Sequence, residues 1–206
     1  MRDALKTTTL KNSERVRLAL MLGWNALQLH STHWLEDHWT KDNILLVIDP
    51  PNIPQPYVTH NFQSRSRRNS KEDLDELTLT PSRRERLTSW VPNEALFNLG
   101  VVLIEICYNK SIEALADASE KDEKGEPHSQ TAFLTAMRLS KEVQDEFGMG
   151  YASAVRGCLR CNFSSDQSEP DLGSEQFRTS FWQHIIKPLQ DVADIWGKSA
   201  PSTVVA

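Results

Sequence analysis

A mainly α domain with one small strand pair is the fold class the sequence predicts, on three observations. Apolar residues return at helical spacing through several separate stretches. Only two short runs, "NILLVID" from Asn43 and "QPYVTHNF" from Gln55, read as strands. The chain has 206 residues, 39% apolar and 25% charged, which suits one globular domain better than a disordered chain.

Taken in order, residues 1–12 are expected to be a flexible N-terminus and 13–196 the domain. Ser13 is placed to cap an amphipathic helix over 15–30, with Val16, Leu18, Ala19, Leu20, Leu22, Leu27 and Leu29 on its apolar face. "NILLVID" is a continuous apolar run closed by Asp49-Pro50-Pro51, the pattern of a buried strand, and "QPYVTHNF" supplies its partner. Residues 63–90 are charged, Ser-rich and poor in apolar side chains, and read as a mobile loop. "PNEALFNLGVVLIEICYN" (92–109) is the most apolar helix and the expected core, started by Pro92 or Asn93. A short helix over 111–118 and a polar linker over 119–130 follow. Phe133, Leu134, Met137, Leu139, Val143 and Phe147 form the apolar face of a helix over 131–147, ended by Gly148 and Gly150. Another helix covers 151–163. A last one covers 174–196, with Pro188 expected to kink it. Residues 197–206 read as a disordered tail.

The charge balance, 23 basic against 28 acidic residues, gives −5, which argues against nucleic acid or an anionic membrane as partner. The longest apolar run, "LFNLGVVLIEIC", is too short to span a bilayer and carries Glu105. The first fifteen residues lack the apolar core of a secretory signal. Cys107, Cys158 and Cys161 are odd in number and sit in or beside apolar helical patterns, as buried thiols of a reducing compartment do. These features point to an intracellular, cytoplasmic protein.

Leu29-His30 at the end of a helix, a turn, and then Asn43-Ile44-Leu45-Leu46 are together similar to the C-terminal lobe of eukaryotic protein kinases. There a Leu-His pair ends a long helix, a His-Arg-Asp loop follows, and Asn-Ile-Leu-Leu comes next. "LFNLGVVLIEICYNKSI" (96–112) resembles the central helix of that lobe, and "VRGCLRC" (155–161) a later helix carrying a Cys-Leu pair. "HWLEDHW", the run into "PYV" and "LFNLGVVLIEIC" resemble, more narrowly, an uncharacterised fungal family of kinase-lobe-like domains of unknown function. That resemblance implies a fungal cell. It also implies an unrelated helical region N-terminal to the lobe in longer forms of the protein.

By the same resemblance the catalytic base falls at residue 38 whether counted forward from His30 or back from Asn43, and residue 38 is His38. Glu36-Asp37-His38 therefore stands where kinases have His-Arg-Asp. A base beside anionic phosphates has to be a carboxylate, and phosphoryl transfer needs several positive charges acting together. The lysine position is Thr40, and Asp-Phe-Gly is absent where it is expected near Pro56. Ala95, with Glu94 beside it, takes the place of the Asp that braces the catalytic loop. No Gly-rich loop and no Val-Ala-Ile-Lys strand supply an N-lobe. His38 and Asn43 read as relic positions, with no catalytic residue, no cofactor and no metal.

The residues offer little other chemistry. His30, His33 and His38 with Glu36 and Asp37 match no metal signature, and Trp34 and Trp39 read as packing anchors. Cys158-x-x-Cys161 lacks the second pair that zinc needs. Arg67 and Arg68 ahead of Ser70 have the form of a basophilic phosphorylation site, which makes Ser70 a candidate regulatory residue. The expectation is a non-catalytic, pseudokinase-like module that binds an unidentified protein partner. The alternative is the C-terminal fragment of a kinase-like phosphotransferase with atypical chemistry.

Overall fold

Helix α1 covers Asn12–Leu29 of the computed structural model, which describes residues 10–29, 44–47, 55–58, 91–162 and 173–198. Ser13 does not cap it. The Lys11 N–H donates to Glu14 Oε2 at 2.8 Å, and the Lys11 carbonyl accepts from the N–H groups of Glu14 and Arg15. A glutamate reaching back over the first turn is half of a capping box, and it leaves Ser13 inside the helix. Val16, Leu18, Ala19, Leu22, Gly23 and Ala26 are buried, while Leu20 and Leu27 pack partly buried at the border of that face.

Strands β1 (Ile44–Val47) and β2 (Gln55–Val58) pair antiparallel, with Ile44 opposite Val58 and Val47 opposite Gln55. Both are edges of a two-stranded ribbon, which is why Pro56 is tolerated. The expected strands ran further, over 43–49 and 55–62; those extra positions lie outside the described residues. So do His38, Asn43, Trp34, Trp39, the 63–90 segment with Ser70, and 199–206 of the expected tail. Gly197 and Lys198, expected in that tail, continue the last helix.

Helix α2 (Glu94–Tyr108) is the core, as its composition predicts. Asn93 caps it by accepting the Leu96 N–H at 2.9 Å. Every residue from Leu99 to Cys107 is buried, and Leu99 and Leu103 are fully so. The helix stops at Asn109, whose left-handed backbone (φ 51°) asparagine tolerates better than most residues. Helix α3 (Ile112–Leu115) is shorter than the expected 111–118, and a 3₁₀ turn at Ala118–Glu120 follows it.

Helix α4 spans Thr131–Arg160 but is broken at Gly148, where φ is 82° and ψ is 177°. It is therefore two helical segments, divided where the glycines predict. The second stops earlier than the expected 163, with Cys161 left-handed at its end. Leu134, placed on the apolar face from sequence, is 39% exposed, whereas Thr135 and Ala136 are buried. At about 100° per residue, Leu134 lies some 200° around the helix from Ala136, on the opposite side from the stripe of Ala136, Leu139, Val143 and Phe147.

The final helical run does not simply kink at Pro188. Helix α5 (Glu175–Phe181) widens into a π turn at Trp182–Ile186 before α6 (Lys187–Lys198) begins. Pro188 has no N–H to offer the carbonyl four residues back, and its ring crowds that carbonyl. The wider turn absorbs both effects, and the Lys187 N–H reaches the Trp182 carbonyl five residues back.

Helix α2 packs most extensively on α4 and also on α1, while α6 packs against α1 and α4. Gly100 sits at the α2–α4 crossing, where a β-carbon would lie 2.7 Å from Leu159 Cδ2. Tyr151, fully buried, donates its hydroxyl to the Leu103 carbonyl at 2.8 Å.

Candidate functional site

The first turns of α2 and α4 converge. Asn93 starts one helix, and residues 127–131 lead into the other. Glu94, Phe97 and Asn98 stand three and four residues apart, so α2 turns one face of its first turns to the gap. Between the two helices lies a cleft of about 420 Å³. Phe97 and Phe133 line it as a stacked pair, their ring centroids 5.9 Å apart and 23° from parallel. Val91, Pro92 and Pro127 add apolar wall, and Glu94, Glu113, Asn98, His128 and Ser129 contribute polar groups. A concave, largely apolar site with a few convergent polar groups is the usual form of a binding site.

The segment into α4, expected as a polar linker over 119–130, is what shapes one wall. Glu120 is buried and accepts two bonds from the Arg138 guanidinium, at 2.8 and 3.1 Å, and one from the Thr135 hydroxyl at 2.8 Å. Its Oε2 also accepts the Asp117 N–H at 2.9 Å. The Arg138 hydrogen bond leads the effects that hold the Glu120 carboxyl down at about 2. The Thr131 hydroxyl donates to the Glu120 carbonyl at 2.6 Å and accepts the His128 N–H at 2.9 Å. The Gln130 N–H donates to His128 Nδ1 at 3.1 Å, which leaves a neutral ring its proton on Nε2. Loop and helix are thus tied together directly behind the cleft.

Sequence reasoning found none of this as a site. In the sequence Glu94 stands out only as the neighbour of Ala95, and His128 lies in a stretch with the composition of a linker. The lining comes from three stretches that only the fold brings together. Of the positions singled out for relic or regulatory roles, His38, Asn43 and Ser70 lie outside the described residues. Ala95 is half-buried in the first turn of α2, beside the cleft residue Glu94.

The thiols have no part in the cleft. Cys107, Cys158 and Cys161 are free and buried. Desolvation pushes Cys107 and Cys161 up to about 12 and Cys158 well above the ordinary thiol value, which keeps them as inert thiols. Among the described residues no group of His, Cys, Asp and Glu is arranged to hold a metal ion, and no helix is long and apolar enough to cross a membrane.

Over residues 1–196 the chain belongs to the family described as a domain of unknown function, DUF7580. No curated protein and no solved structure matches it.

Proposed function

We propose that this chain is a non-catalytic, kinase-C-lobe-like module of a fungal cell that holds a segment of another protein in the cleft between α2 and α4. The observation that carries the reading is the cleft itself, about 420 Å³ with a stacked phenylalanine pair in its lining. The size and lining suit a few side chains of a bound segment. The absence of catalysis is supported by the sequence, where His38 replaces the base and Ala95 the brace of the catalytic loop. The order of a helix, a strand pair, a buried central helix and further helices agrees with the kinase-lobe resemblance.

Selection from a displayed library of random peptides tests the module. The intact chain is expected to retain peptides that a Phe133→Ala variant releases. Failure to retain any peptide, or equal retention by the variant, refutes the reading. The phosphotransferase alternative separates on ATP with magnesium: no rise in unfolding temperature is expected. A nucleotide present at about 100 times its Kd would stabilise by roughly 2.7 kcal/mol, which a thermal melt detects readily.

A further inference from the structure

Resting on that reading, we infer that the partner segment presents an arginine to the cleft. Two carboxylates, Glu94 and Glu113, line a cavity whose wall is the stacked pair of Phe97 and Phe133. An apolar side chain would fit the rings but would leave unanswered, away from water, the carboxylate acceptor sites that the protein's own groups do not fill. A phosphate or carboxylate ligand would meet like charge. A guanidinium satisfies both parts of the lining, because its flat face stacks on an aromatic ring while its edge donates paired N–H bonds to carboxylate oxygens. Each carboxylate has about four acceptor sites, so partners it already holds do not exhaust it. Lysine answers the charge but offers neither the plane nor the fork.

Two further observations favour an arginine within a polypeptide over a free guanidinium compound. The cavity is larger than one guanidinium needs, at about 420 Å³. His128 and Ser129 add polar groups to the lining beside the two carboxylates, as a peptide backbone needs. The net charge of −5 also draws a basic segment from a distance, an attraction that salt weakens.

The peptides selected by the intact chain provide the test. They are expected to share an arginine at one position. Replacing that arginine by citrulline, which keeps the shape and removes the charge, is expected to weaken binding at least tenfold in fluorescence anisotropy. Lysine is expected to weaken it by less than citrulline does. Glu113→Gln is expected to reduce affinity for the arginine peptide by a larger factor than for the citrulline peptide, whose neutral urea donates N–H bonds but carries no charge. N-acetyl-arginine amide is expected to bind far more weakly than the peptide. Peptides that depend on Phe133 but show no arginine preference would overturn this inference and leave the interaction module standing. Retention of no peptide at all removes both. Citrulline binding as well as arginine, or the amide binding as tightly as the best peptide, also overturns it. The peptide substitutions leave the protein untouched, so the outcome does not depend on how a variant folds.

Discussion

Leu103 is fully buried at the middle of the central helix, and Leu103→Ala removes packing that its neighbours cannot easily refill. A loss of about 2–5 kcal/mol is expected in urea unfolding, and a loss below about 0.5 kcal/mol would mean that α2 is not the core. Tyr151→Phe removes only the hydroxyl bond to the Leu103 carbonyl, so about 0.5–1.5 kcal/mol is expected. Glu120 gives the molecule a pH signature. Its folded value, about 2, lies below the ordinary 4.5, so its stabilisation is complete above 4.5 and drains away as pH falls toward 2. Chemical unfolding followed from pH 6 to 2 is expected to show a loss on the order of 1–3 kcal/mol that Glu120→Gln does not show. The buried leucines were legible in the sequence because burial follows apolar periodicity. The Glu120–Arg138 pair was not, because 18 positions separate two ordinary surface-type residues and only the return of the chain into α4 makes them meet.

The helices could be read from sequence because each carries its own punctuation. Asn93 and Gly148 act within a turn of their own position, so the start of α2 and the break in α4 were visible in advance. The start of α1 departs from the expected Ser13 cap because Glu14 reaches back to the Lys11 N–H and the helix already begins at Asn12. The π turn before Pro188 was missed because proline announces a disturbance and leaves its form to the packing around it. The conformation of Gly148 is nearly restricted to glycine, yet a β-carbon there would meet nothing within 4 Å. Gly148→Ala is therefore a test of backbone strain without any clash, and a cost of about 1–3 kcal/mol is expected in thermal unfolding. Gly100→Ala differs in kind, since its β-carbon would press on Leu159 across the α2–α4 crossing, and a loss of about 1–3 kcal/mol is expected from overpacking.

As a whole, the molecule concentrates its apolar side chains in α2 and packs α4 and α1 on it, with α6 laid against those two. That arrangement could be anticipated from one helix being far more apolar than the rest. The cleft could not, because Glu94, Glu113 and Phe133 come from three elements whose convergence depends on how the segment between α3 and α4 folds back. The three buried thiols lie in that same interior, Cys107 on α2, Cys158 on α4 and Cys161 at its end. None can meet a bulky thiol reagent until the structure around it opens. The native protein thus carries its own clock for the parting of these two helices. Without any engineered label, the rate at which the thiols are modified in the absence of denaturant reports how often α2 and α4 come apart. A segment bound across their first turns should slow that clock by the same factor with which it favours the closed state.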